Sequence, residues 1–145
     1  MTKPLTNNQR LALASIGHLH HLDKLVKDPD DEIRSEVARH GHMKHLDKLV
    51  SDPDPSVRWE VASHGHMKHL DKLVNDPAWE VREQVASHGH KHHLDKLVND
   101  RDSSVRLKVL EKAYPEHLAK LSKDKDEEIR RIAKYKLNQL KKQGK

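Results

Sequence analysis

His21, His45, His69, His93 and His117 stand in one column at steps of 24 residues. Leu22, Leu46, Leu70, Leu94 and Leu118 run beside it, and Leu25, Leu49, Leu73, Leu97 and Leu121 follow. A further column reads Ile33, Val57, Val81, Val105 and Ile129, and the eleven letters HGHMKHLDKLV occur twice, at 40–50 and 64–74. A 24-residue piece cannot bury its own apolar face, so a chain made of such pieces must stack them into a quasi-one-dimensional array. Two Trp, two Tyr and no Phe are too little aromatic mass for one conventional core. The regular Leu, Val and Ile spacing excludes disorder.

Each repeat has a readable plan. In DPDDEIRSEVARHG (28–41), Asp30 suits an N-cap, Asp31 and Glu32 suit the positive end of a helix, and Gly41 suits its stop. Ile33, Val37 and Ala38 share one face of that helix. KHLDKLV (44–50) sets Leu46, Leu49 and Val50 at i, i+3 and i+4, which predicts one or two further helical turns, partly 3₁₀. Asp52-Pro53 ends it, because proline disfavours helix in the residue before it.

The ends depart from the plan. Residues 10–20, RLALASIGHLH, keep Leu13, Ala14 and Gly17 in register, and residues 126–142 lose the glycine stop and continue as a longer basic helix. The expected fold is all-α: a right-handed α-solenoid of about five repeats, each an α-helix and a short α or 3₁₀ helix, with capped ends. A single domain, 1–145, would comprise a cap over 1–20, repeats over 21–125 and a basic cap helix and tail over 126–145. The repeat DPDPSVRWEVASHGHMKHLDKLVNDPAWEVREQVASHGH resembles the leucine-rich variant repeats and, more loosely, the HEAT-like repeats. That resemblance supplies the handedness and the α/3₁₀ alternation, and implies a binding scaffold rather than a chemistry. An iron–sulfur domain found in that family does not transfer to a chain without cysteine.

Charge narrows the partners. The net charge of +5 resides wholly in residues 121–145, with 9 Lys+Arg against 4 Asp+Glu; residues 1–120 carry 19 of each. Without cysteine there is no disulfide, thiolate metal site or cysteine nucleophile. The first residues lack a secretory profile and no apolar run is long enough to cross a membrane, so a cytoplasmic protein without cofactor is expected.

The matched columns suggest roles. Arg34, Arg58, Arg82, Arg106 and Arg130 pair in number with Asp28, Asp52, Asp76, Asp100 and Asp124, which predicts an Arg–Asp ladder between loops better than a phosphate stripe. Lys24, Lys48, Lys72 and Lys96 each follow an aspartate, which cancels much of their field. His40, His64 and His88 stand at helix ends, suited to bonding terminal carbonyls. His42, His45, His66, His69, His90 and His93 form an alternative metal set, although members of one column on neighbouring helices would lie about 10 Å apart, too far to share an ion. Acid is expected to destabilise the fold below about pH 6 through the 14 histidines.

Function is sought where the repeat breaks. On the first helix of successive repeats, one i, i+4 pair reads Asp31/Ser35, Pro55/Trp59, Trp79/Glu83, Ser103/Leu107 and Glu127/Arg131. Trp59, Trp79 and Leu107, with Glu60 and Glu83 as polar surroundings, predict a surface for another protein; packing over an adjoining repeat is the competing account. Nucleic-acid binding through Arg130, Arg131, Lys134, Lys136, Lys141 and Lys142 is the second reading, and histidine-bound metal the third. No Ser/His/Asp order, phosphate loop or HExxH motif points to catalysis, so a non-catalytic module or regulator is expected, as a monomer or weak homodimer.

Overall fold

The computed structural model describes residues 2–144; Met1 and Lys145, the outermost residues of the expected domain, lie outside the described residues. The described residues form eleven helices and no strand. They fall into two compact units that divide between Leu73 and Val74. None of the helices is long and apolar enough to cross a membrane.

The first unit contains α1 (Asn7–Ile16), α2 (Leu19–Leu25), α3 (Asp31–Arg39), α4 (Met43–Leu49), α5 (Pro55–Ser63) and α6 (Met67–Leu73). Helix α3 starts where the sequence indicates: the Asp30 side chain accepts from the Glu32 N–H at 2.9 Å. Its apolar face, Ile33, Val37 and Ala38, is at most 1% exposed. Each such Val or Ile contributes about 2 kcal/mol by leaving water. The helix stops at Gly41, whose φ of 76° is open to glycine at little cost. The short partner α4 is an α-helix of seven residues. Bonds of 3₁₀ type are confined to its ends, from His45 N–H to His42 O (2.9 Å) and from Asp52 N–H to Leu49 O (3.0 Å). The expected 3₁₀ share is therefore smaller than predicted, because Leu46, Leu49 and Val50 bury best at α spacing.

An Arg–Asp ladder joins successive repeats. Arg34 donates to the Asp52 carboxylate from Nε (2.8 Å) and Nη2 (3.0 Å), and from Nη1 to the Asp28 carbonyl (2.7 Å). Arg10 reaches Asp28 in the same way, with Nε at 2.7 Å. Each aspartate also closes its own loop: Asp52 Oδ1 accepts from the Asp54 N–H at 2.9 Å. Two jobs for one carboxylate explain why the column never varies.

The second unit contains α7 (Trp79–Ser87), α8 (Lys91–Leu97), α9 (Ser103–Lys112), α10 (Pro115–Leu121) and α11 (Glu127–Gln143). The ladder continues with Arg82–Asp100 at 2.7 Å and Arg106–Asp124 at 2.8 Å. Ala78 takes the place of the aspartate N-cap of α7, so no side chain caps that helix. Helix α9 lacks the glycine stop; Ala113 leaves it in an extended conformation, and Pro115 opens α10. Helix α11 runs for 17 residues and ends the array with an amphipathic, basic surface.

Candidate functional site

The residues singled out on the helix ridges divide between the units. In the first, Trp59 lies on α5 and keeps 38% of its surface exposed, so its ring is neither core nor free. Beside it, Glu60 accepts from Arg39 at 3.2 Å, and Arg39 also pairs with Glu36. Those charges hold α3 to α5, and Glu36 and Arg39 border a polar groove of about 420 Å³ that includes Leu11, Ser35 and Ser56.

In the second unit, α7 packs against α9. Trp79 opens α7 at 39% exposure and Leu107 lies on α9 at 37%. Glu83, one turn after Trp79, lies 3.8 Å from Lys108 Nζ, which also pairs with Glu111 at 3.0 Å. The hydrogen bond that Lys108 donates to Glu111, and then the charges of Glu111 and Glu83, raise the Lys108 pKa and keep it charged. Two partly exposed apolar side chains and a small charge network thus share the packed helices α7 and α9. Such an arrangement can bind a protein surface; it contains no nucleophile with a base beside it.

Several histidines bond the fold itself. His40 Nε2 lies 2.7 Å from the Ala14 carbonyl and His64 Nε2 2.7 Å from the Ala38 carbonyl. The expected helix-end contact thus exists, but it reaches the helix of the preceding repeat rather than the ring's own. His45 and His69 are 1% exposed, each with Nε2 at 2.7 Å from a carboxylate, Asp23 and Asp47 respectively. His117 bonds Asp95 at 2.6 Å and accepts from the Tyr114 N–H at its Nδ1. The rings of His42 and His45 meet edge to face at 5.6 Å, His66 and His69 at 5.8 Å, and His90 and His93 at 5.7 Å. Among the described residues, none of His42, His45, His66, His69 and His90 belongs to a group of three donors close enough to hold one ion.

The basic helix is partly spent on the fold. Arg130 donates to the Asp124 carbonyl at 2.7 Å, and Lys136 Nζ to the Leu110 carbonyl at 3.1 Å. Arg131 borders a shallow depression shared with Asp126, Glu127 and Glu128. Lys134, Lys141 and Lys142 are exposed. Lys136 occupies the column of His40 and His64 and does the same work, which the column itself could have revealed.

The fold and geometry define a class: an α-solenoid of 24-residue repeats. No protein-family model and no curated protein sequence matches the chain. Among solved structures, one described as a leucine-rich repeat variant with a novel repetitive protein structural motif aligns with a TM-score of 0.80 and 30% identity, over 88% of this chain. The chain spans 55% of the length of that structure. An engineered protein aligns at 17% identity with a TM-score of 0.44, over 95% of this chain and 85% of its own, a likeness too loose to support an argument. The chain thus shares the fold and the repeat of a leucine-rich repeat variant.

Proposed function

We propose that the chain is a non-catalytic interaction module that binds another protein through exposed ridges of its first helices. The observation that supports this most is that Trp79 and Leu107, two large apolar side chains on the packed neighbours α7 and α9, are each left more than a third exposed. Trp59 gives the first unit a ridge of the same kind. Aromatic anchors of this sort provide most of the energy of a protein interface, about 2 kcal/mol or more apiece, while the Glu83–Lys108–Glu111 network would form a polar rim. The mechanism is surface complementarity on a scaffold whose repeats are tied together by the Arg–Asp ladder, and it makes the chain a regulator by occupancy.

The test is affinity capture from lysate with wild type beside Trp79→Ala/Leu107→Ala, each with nuclease and EDTA controls and circular dichroism to check folding. Support is a protein retained by wild type under both controls and lost by the folded variant. Capture that persists in the variant, or that disappears with nuclease or EDTA, contradicts the reading.

A further inference from the structure

In the second unit a cleft of about 280 Å³ opens between the loop after α8 and the end of α10, lined by Arg101, Lys120, Lys123 and Lys125 around the Arg106–Asp124 pair. Asp100 also borders it, but its carboxylate is taken by Arg82 at 2.7 Å, as that of Asp124 is by Arg106 at 2.8 Å. The cleft therefore keeps four exposed cations, and among the described residues none of the four is in an ion pair. Arg101 is held by one bond, from Nη2 to the Pro77 carbonyl at 3.3 Å, which leaves its other N–H groups available.

The repeat makes this concentration informative. Arg101 and Lys125 occupy a column that reads Pro29, Pro53 and Pro77 earlier in the chain. Lys123 follows Ser51, Asn75 and Asn99 in its column, which has a lysine otherwise only at Lys27. Lys120 alone belongs to a column of lysines. Three departures from the repeat thus converge on one cleft and all have the same sign. Like charges held together oppose the compact state unless something neutralises them.

We propose that this cleft binds a small ligand bearing one or two phosphoryl groups. A phosphoryl group brings a charge of about −1.5 to −2 and three strong acceptor oxygens, a better match to four converging cations than a single carboxylate. Lysine binds phosphate well as a point charge, and the Arg101 fork adds direction. The cations surround one cleft rather than following a line, which fits a compact anion rather than a nucleic-acid backbone. Neither Trp79 nor Leu107 lines this cleft, and the site does not depend on the function proposed above.

The experiment is an amide NMR titration of the whole chain with sodium pyrophosphate at constant ionic strength, with a competing oligothymidylate as a second arm. Saturating shifts in residues 98–102 and 120–126 are expected. Arg101→Pro/Lys123→Asn/Lys125→Pro restores residues that other repeats tolerate, and should weaken pyrophosphate at least about tenfold. If that variant does not fold, Lys120→Ser/Lys123→Asn, at two exposed positions, provides the same comparison. Shifts that never saturate, shifts that map elsewhere, or a folded variant that binds as well as wild type overturn the proposal. So does an oligothymidylate that displaces pyrophosphate and loses its own binding in the variant, which would make the cleft a nucleic-acid backbone site.

Discussion

The His64 ring bonds the Ala38 carbonyl at 2.7 Å and lies against Gly41, so that a Cβ at position 41 would sit 2.8 Å from the ring's Cε1. One histidine thus ties α5 to α3 only because its neighbour has no side chain. Gly41→Ala is expected to lose about 2 kcal/mol or more, from a left-handed backbone plus displacement of the ring. Gly89 has nearly the same φ of 74°, but the nearest atom to its Cβ would be Lys112 Cβ at 3.8 Å. Gly89→Ala should therefore cost only the backbone strain, about 1 kcal/mol. Urea titrations compare the two; equal losses would contradict the role of the ring.

The ladder makes a sharper demand. Asp124 and Arg106 have side chains 6% and 5% exposed. Burial opposes the Asp124 charge most, yet the bonds from Arg106 and the Asp126 N–H outweigh it and hold the carboxyl below its usual value. Asp124→Asn would leave a buried guanidinium without its counter-charge, at a cost of about 3 kcal/mol. Glu116→Gln removes an exposed pair with Lys91 and should barely move the urea midpoint. Similar midpoints for the two variants would show that the ladder does not hold the repeats.

Acid should act through carboxylates. The Lys44 bond first, then that of His45, lowers the pKa of Asp23; Lys68, then His69, lowers that of Asp47; and His117 leads for Asp95. A carboxylate whose folded pKa is depressed stabilises the fold above its unfolded value and loses that contribution as pH falls through the folded one. The window therefore opens below about pH 4, the ordinary aspartate value, rather than near pH 6 as the histidine count suggested. Nε2 of His45, His69 and His117 each lies against a carboxylate rather than against another ring. Thermal melts at pH 7, 5 and 3 check this; a steep fall already between 7 and 5 would restore the histidine account.

Lys136 separates structure from charge on α11. Its bond to Leu110 O repeats the 26-residue step of His40 to Ala14 and His64 to Ala38. Lys136→Met should lose about 1 kcal/mol, whereas Lys134→Met and Lys141→Met at exposed positions should lose nearly nothing. Equal effects in chemical denaturation would mean that the lysine is not replacing the histidine.

The period, the helix positions, the aspartate caps, the glycine stops and the existence of the ladder were legible because each is repeated several times at one step. Asp30 and Gly41 cap and stop α3 as their letters suggest. What the ladder spans was not legible: Arg34 reaches 18 residues ahead to Asp52, and a column gives no direction. The Lys136 role was hidden because lysine and histidine look unlike as letters, though both place a donor at the same carbonyl position. The cationic cleft was hidden because Arg101, Lys123 and Lys125 lie in two loops and Lys120 at the end of α10, whereas attention to repeat-breaking positions fell on one helix face. The ridge positions were singled out by that same logic, but letters alone do not give the half-exposure of their side chains.

Hydrogen exchange on the chain with and without its captured protein tests the account's central claim most directly. The account predicts added protection on α7 and α9 around Trp79 and Leu107, with the helix-to-helix ladder unchanged and the α11 amides unaffected. Protection confined to α11, or no change anywhere on α7 and α9, would contradict it.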